Sequence, residues 1–279
     1  MATPFDSPQL EILEMNEVFE DINGSFGFAG TLLVYRMNGQ LYHGMLKARS
    51  YPSTMVNPAD LTNIIQIPFS AYSPLYAMEL TRAHDPLPKD THVKRPQLNS
   101  YDQISQSPHP NAIAESMLAE AKVCELFLQH PHPNIAKYHG CQVAGDRITG
   151  LCFTKYSHTL MKEVNPGALM KRRSRSTRET IKDYSAGLAG VESGLRHLHS
   201  LGLVHNDINP SNIMLDGDGL VIIDFGSCRP IGESMEGSGG TYEWYDEKTQ
   251  LSLPENDLNA LEEIRIWLGD DSRDFQFGV

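Results

Sequence analysis

Between Leu203 and Gly226 the chain reads LVHNDINPSNIMLDGDGLVIIDFG. Three oxygen-bearing side chains stand out by position: Asp207, Asn212 five residues later, and Asp224 immediately before Phe225-Gly226. A carboxylate can accept the proton of a hydroxyl, and carboxylate and amide oxygens are the donors a hard divalent cation takes. Two short apolar runs, Ile213-Met214-Leu215 and Leu220-Val221-Ile222-Ile223, lie between them, joined by Asp216-Gly217-Asp218-Gly219. Apolar runs on either side of an Asp/Gly turn predict a β-hairpin. That hairpin brings Asn212 and Asp224 to the same end of the sheet. A lone D-F-G triplet carries little weight, whereas the two motifs in this order with a hairpin between them are specific.

His205-x-Asp207-x-x-x-x-Asn212 followed by Asp224-Phe225-Gly226 resembles the catalytic loop and metal loop of protein kinases. From about residue 94 to 268 the chain is similar to the protein-kinase superfamily. Its HNDINPSNIM and HPHPNIA segments resemble small fungal Ser/Thr protein-kinase-like proteins. The resemblance implies an α+β, bilobal kinase-like fold with a β-rich N-lobe and a helical C-lobe. It also implies ATP and magnesium as cofactors. Asp207 would be the catalytic residue that accepts the hydroxyl proton, and Asn212 and Asp224 would hold the metal ions that bridge the ATP phosphates. The chain departs from the family in three places. Asn206 stands where many kinases have Arg, Asn209 where Ser/Thr kinases usually have Lys, and no A-P-E follows the activation segment.

The surrounding elements must place these residues. Ile181, Tyr184, Leu188, Val191, Leu195 and Leu198 recur three or four apart, which predicts a helix over 179–201 that stops at Gly202. The family's helix E occupies this place. Met117, Ala121, Cys124 and Leu128 predict a second helix over 113–129. Glu120 lies beside that stripe, Glu115 does not, and Glu120 best matches the family's helix-C glutamate. His130-Pro131-His132-Pro133-Asn134 then reads as a turn. Residues 135–141 and 147–154 read as strands, and Thr154-Lys155-Tyr156 falls at the family's hinge, so Thr154 and Tyr156 are expected beside adenine.

Lys171 to Arg178 (KRRSRSTR) reads as a solvated basic loop, with a phosphorylatable Ser174 or a contact to an acidic partner as the sharper reading. After Gly226 a short glycine-rich stretch runs to Gly239-Gly240-Thr241, with Trp244 and Tyr245 expected near the substrate site. Pro254-Glu255-Asn256-Asp257 opens a last helix carrying Leu258, Leu261, Ile264 and Leu268 on one side. Asp257 matches the helix-F aspartate that holds the catalytic-loop backbone. The C-lobe is thus expected to be truncated, ending near helix F.

The first part of the chain is less explicit. Residues 1–20 show no firm apolar period. Asn23 to Gly30 (NGSFGFAG) fits either the second half of a kinase glycine loop or a plain hairpin turn. Residues 31–35 and 41–46 read as strands around an Asn38-Gly39 hairpin signal. Residues 50–92 look irregular apart from a short apolar run at 64–67, and 99–111 reads as a Pro/Ser-rich loop. Two lysines compete for the family's phosphate-binding role. Lys47 follows the glycines at a suitable distance but forces a long insertion before Glu120. Lys94 sits in Thr-His-Val-Lys, close upstream of Glu120, and is preferred as its partner and as the residue that touches the ATP phosphates. The domain expectation is an N-lobe over 1–156, irregular around 50–110, and a C-lobe over 157–279.

Composition bounds the alternatives. The 279 residues are 40% hydrophobic, which supports a sizeable core. The formal charge of −12 argues against a general nucleic-acid binder. No stretch of about 18 apolar residues predicts a membrane span, and MATPFDSPQL does not read as a signal peptide. Cys124, Cys141, Cys152 and Cys228 have no C-x-x-C spacing and read as reduced thiols of an intracellular, cytoplasmic protein. The expected function is ATP-dependent phosphorylation of protein Ser/Thr hydroxyls. A small-molecule kinase of the aminoglycoside-kinase type and a nucleotide-binding pseudokinase scaffold are the alternatives.

Overall fold

A computed structural model describes residues 10–22, 24–49, 56–177, 182–236, 240–269 and 273–278. The chain divides into two compact units that interleave along the sequence. One comprises Met1–Tyr76, Arg95–Leu118 and Val143–Gly150; the other comprises Ala77–Lys94, Ala119–Gln142 and Leu151–Val279.

The first unit is built on an antiparallel meander of β1 (Glu11–Ile22), β2 (Ser25–Met37), β3 (Gln40–Leu46) and β4 (Leu61–Ile67), in that spatial order. Leu32-Leu33-Val34-Tyr35 is buried throughout because β2 is covered on both faces. Leu32 and Val34 pack with Leu41, Ile67 and Leu98, whereas Leu33 and Tyr35 pack with Leu61. Alternate residues of a strand point to opposite faces, so a two-sided core needs such a continuous run. β2 and β3 turn through Asn38 and Gly39, both at positive φ (51° and 77°), as a tight two-residue hairpin requires. The short helices α1 (Phe69–Tyr72) and α2 (Tyr101–Ser105) add Ala71 and Tyr101 to the first cluster.

Three sequence expectations change here. β1 shows no strand period in sequence because it is an edge strand rich in carboxylates and broken by irregularities at Ile12/Glu14 and Val18/Phe19, which erase the period of two. The stretch 50–92, irregular by sequence, contains β4, and the Pro/Ser-rich stretch 99–111 contains α2. The Gly24–Gly30 segment belongs to the β1–β2 hairpin, the plainer of its two readings; Asn23 and residues 50–55 lie outside the described residues.

The second unit carries β5 (Thr91–Lys94), which pairs with the Leu151–Thr154 part of β7 (Arg147–Thr154) in a three-stranded sheet of order β5-β7-β6, β6 being Tyr138–Ala144; the Val143–Gly150 stretch of that hairpin is assigned to the first unit. The long helix α3 (Ala112–Gln129) enters it at Ala119. Met117, Ala121 and Cys124 are buried as expected, but Leu128 is exposed and Phe127 takes the inward place. Then follow α4 (Leu160–Val164), α5 (Lys171–Thr177), α6 (Ser185–Ser200), the short β8 (Leu203–Val204), the hairpin β9 (Ile213–Asp216) and β10 (Gly219–Ile222), β11 (Arg229–Pro230) paired with β8, and α7 (Pro254–Leu268).

The helix α6 starts later than its periodicity suggested. Asp183 Oδ1 accepts the N–H of Ser185 at 2.8 Å, a local turn that competes with an earlier helical start; residues 178–181 lie outside the described residues. Leu188, Val191, Leu195 and Leu198 form its buried stripe. At Gly190 and Gly194 the helix runs against Asn134 and Ile222 so closely that a Cβ would fall 2.5 Å and 3.1 Å from their side chains. Helix α7 is buried on more than one side, through Leu261, Ile264, Ile266 and Trp267. The basic run forms helix α5 rather than a loop; Arg172, Arg173 and Ser176 are exposed, as a solvated run requires, but Lys171 and Ser174 are buried, which rules out Ser174 as an accessible phosphorylation site in this fold. The molecule is therefore an α+β, kinase-like fold with a β-rich N-terminal part and a helical C-terminal part. Among the described residues no helix is long and apolar enough to cross a membrane.

Candidate active site

Strand β5 ends on Lys94, and α3 presents Glu120 from its buried face, while Glu115 is exposed. Lys94 Nζ lies 2.7 Å from both Glu120 oxygens and 2.8 Å from Asp224 Oδ1. Glu120 Oε1 also accepts the backbone N–H of Phe225 at 3.1 Å. Phe225 is buried edge-on against Phe127, with ring centroids 4.7 Å apart, so packing fixes the residue that follows Asp224. Burial opposes the charge of Lys94, but Glu120 and Asp224 outweigh it and hold the ammonium above its usual range. Burial pushes the Glu120 carboxyl up against the pull of Lys94. For Asp224 burial acts in the same sense, but Lys94 prevails and the carboxyl is held below its ordinary value. Lys47 is exposed in the loop after β3; the ammonium that meets Glu120 is that of Lys94.

The catalytic-loop candidate hangs on α7. Asp257 is fully buried and accepts the backbone N–H groups of His205 and Asn206 at 2.8 Å each, with His199 Nε2 also 2.8 Å away. Asn206 sits at φ 63°, a left-handed geometry that Asn tolerates. Its amide donates to Val204 O and Ser252 Oγ and accepts from Asn256 Nδ2. Next to it, Asp207 Oδ1 accepts from Thr241 N–H and Thr241 Oγ1 at 2.8 Å and from Asn209 Nδ2 at 3.1 Å, while Oδ2 accepts from Asn212 Nδ2 at 2.9 Å. Asn209 therefore bonds the very carboxylate it neighbours, and Thr241, absent from the expected site residues, supplies two of the donors. Nothing in the spacing singled Thr241 out, since its approach depends on how the segment after Gly226 folds back.

The hairpin works as anticipated. The carbonyl of Asn212 accepts the N–H of Ile223 at 3.0 Å, which sets Asn212 beside the residue preceding Asp224. With its NH2 engaged by Asp207, the atom Asn212 offers a cation is Oδ1, and the Asp224 carboxylate is solvent-accessible. These oxygen donors fit a magnesium ion. At the hinge, Thr154 N–H donates to Lys137 O at 2.9 Å and its hydroxyl lies 2.9 Å from His139 Nε2. The Tyr156 hydroxyl accepts the N–H of Lys137 at 3.2 Å, so both expected hinge side chains engage the neighbouring strand region. Trp244, expected near substrate, is buried against Trp267 instead, with ring centroids 5.4 Å apart.

The Protein kinase domain family matches residues 92–247, more than half of the chain, a span that takes in Lys94, Glu120, Asp207, Asn212, Asp224 and Thr241 but neither Lys47 nor Asp257. The chain belongs to the protein kinase family. Among similar proteins of this family, the serine/threonine-protein kinase/endoribonuclease IRE1 of Hypocrea jecorina is 31% identical over 118 residues, 39% of this chain and 9% of that protein. The MAP kinase kinase kinase SSK2 of Saccharomyces cerevisiae is 29% identical over 141 residues, 47% of this chain and 8% of that protein. The probable serine/threonine-protein kinase PkwA of Thermomonospora curvata is 48% identical over 52 residues, 19% of this chain and 7% of that protein. The chain spans less than a tenth of the length of each of these relatives. Its strand-borne lysine, Lys94, and its glutamate, Glu120, meet within the second unit, while the glycines at 24–30 lie in a hairpin of another sheet.

Proposed function

We propose that this kinase transfers the γ-phosphoryl group of ATP to serine or threonine hydroxyls of protein substrates. The observation that carries the reading is the continuous set Glu120–Lys94–Asp224, joined at 2.7 and 2.8 Å. Lys94 would steady the α- and β-phosphates, and Glu120 would keep its ammonium in place. Asn212 and Asp224 would hold magnesium, which when bound neutralises charge on the phosphates. Asp207 would receive the proton of the attacking hydroxyl, its carboxylate oriented by Thr241, Asn209 and Asn212. Backbone groups of 154–156 would meet adenine. Most of the acceleration would then come from positioning and charge stabilisation. The serine/threonine preference rests on the names of the relatives, and an intracellular setting goes with ATP as co-substrate and four free thiols.

The test is the purified full chain with labelled ATP, magnesium, a peptide library and an aminoglycoside panel. Wild type should label Ser/Thr peptides. Asp207→Ala should bind nucleotide and lose turnover, and Asp224→Ala should lose the magnesium-dependent thermal shift produced by nucleotide. Label on aminoglycosides and none on peptides would move the reading to a small-molecule kinase. Nucleotide binding without any transfer would make the chain a pseudokinase. Equal nucleotide shifts in wild type and Asp224→Ala would overturn the metal assignment.

A further inference from the structure

Lys171 opens α5, and its side chain has no solvent exposure. An ammonium taken wholly out of water persists only where acceptors replace the lost hydration. Here Nζ donates to Glu263 Oε2 at 2.5 Å, to the carbonyl of Glu243 at 2.5 Å and to the carbonyl of Phe277 at 2.9 Å. The three donors of the ammonium thus have three acceptors, one charged and two from the backbone. The rings of Phe275 and Trp244 close the site at 4.4 and 5.2 Å.

The Glu243 contact leads to the candidate catalytic carboxylate. Glu243 adopts φ 70°, a strained conformation for a residue with a Cβ, and its Oε2 accepts the N–H of Lys171 at 3.0 Å. It lies in a turn closed by the N–H of Trp244 on Thr241 O at 3.0 Å. Thr241, at the start of that turn, gives Asp207 Oδ1 both its N–H and its hydroxyl. Lys171 therefore grips the turn from one end while Thr241 presents its other end to Asp207.

We propose that Lys171 is a positioning residue for phosphoryl transfer: by holding Glu243 against Glu263 it fixes Thr241, and through Thr241 the orientation of Asp207. The inference rests on the kinase reading of Asp207. The uncharged Asn206 cannot form an ion pair with a phosphate on the segment, so an internal ammonium anchors this stretch in place of an added charge. Removing it should impair turnover and leave nucleotide binding alone, because the groups assigned to the nucleotide, Lys94, Glu120 and Asp224, make no contact with Lys171 among those described.

The decisive variant is Lys171→Met/Glu263→Gln in the full chain. It removes both charges together, so neither is left buried alone, and Gln retains an acceptor oxygen for the N–H of Gln276, now 2.7 Å from Glu263 Oε1. The expected result is magnesium-ATP affinity within about twofold of wild type and a kcat for ATP hydrolysis lower by about tenfold or more. Amide hydrogen exchange at Thr241 should speed up by a similar factor, with the amides of His205 and Asn206 unchanged. Wild-type kcat together with wild-type protection at Thr241 would overturn the proposal and leave Lys171 a staple of the fold. If that variant does not fold, Lys171→Leu/Glu263→Leu is the second, judged by the same readings. Absence of turnover in wild type would count against the kinase reading instead, and the exchange at Thr241 would still decide whether Lys171 holds the turn.

Discussion

Asp257 holds the peptide N–H of His205, which Oδ2 accepts at 2.8 Å across 52 residues of chain. One buried carboxylate at the start of α7 thereby fixes the backbone from which Asp207 projects. Asp257→Ala would strip acceptors from three donors: the N–H groups of His205 and Asn206, and His199 Nε2. Each buried donor left unsatisfied costs about 1–3 kcal/mol, so the loss should reach roughly 3 kcal/mol or more. Urea unfolding followed by fluorescence measures it; a midpoint within error of wild type would show that the loop is held by other means.

Lys94 and Lys47 give a paired comparison. Lys94→Met removes the cation shared by Glu120 and Asp224 and should abolish the thermal shift produced by magnesium-ATP. Lys47 is exposed, and Lys47→Met should leave both that shift and stability within about 0.5 kcal/mol of wild type. A strong loss of binding in Lys47→Met with none in Lys94→Met would reverse the assignment.

Asn206 makes its side-chain bonds inside the protein, to Val204, Ser252 and Asn256. Activity should therefore survive phosphatase treatment. Loss of activity, with a phosphate mapped to Ser227, Ser234 or Thr241, would contradict this; Ser238, a fourth hydroxyl of the segment, lies outside the described residues. Asn206→Ala should cost about 1–3 kcal/mol, through the orphaned partners and through a positive φ that Ala tolerates poorly.

The four thiols Cys124, Cys141, Cys152 and Cys228 are all buried, and burial drives those of Cys124 and Cys228 well above the usual thiol range. The thiolate is the reactive form, so iodoacetamide at pH 8 should label the native protein negligibly and all four sites after denaturation. Mass spectrometry of the native sample reads this directly; rapid labelling of Cys228 would mean that the segment after Phe225 opens in solution.

His132 and His139 are both held below the ordinary histidine value, by burial first and then by His197 and Lys137 respectively. Between the folded and unfolded values the unfolded chain binds more protons, so stability falls as pH drops through about 6.5 and levels off below the folded values. Urea midpoints from pH 7.5 to 5 should show this slope, reduced in His132→Gln. An unchanged slope would assign the effect to other groups.

The sequence alone determined the parts whose geometry is local. The β9–β10 hairpin follows from two apolar runs and an Asp/Gly turn, and with it the placement of Asn212 beside Asp224. The 3.6-residue period of α3 and α6 follows from side-chain spacing, which also sets Glu120 beside the apolar stripe of α3; its role as the partner of a lysine comes from the resemblance to kinases. The Asn38-Gly39 hairpin was readable because a tight turn needs two residues that tolerate positive φ. Tertiary structure decided whatever depends on partners distant in the chain. β1 has too many carboxylates and irregularities to show a strand period, and only pairing with β2 makes it one. Lys171 sits in a basic run that reads as solvated; its charge is buried because Glu263, Glu243 and Phe277, 72 to 106 residues away, converge on it. Thr241 reaches Asp207 for the same reason. A hydrogen bond across 34 residues leaves no periodic trace in sequence, since burial and convergence are set by packing that only the folded chain supplies.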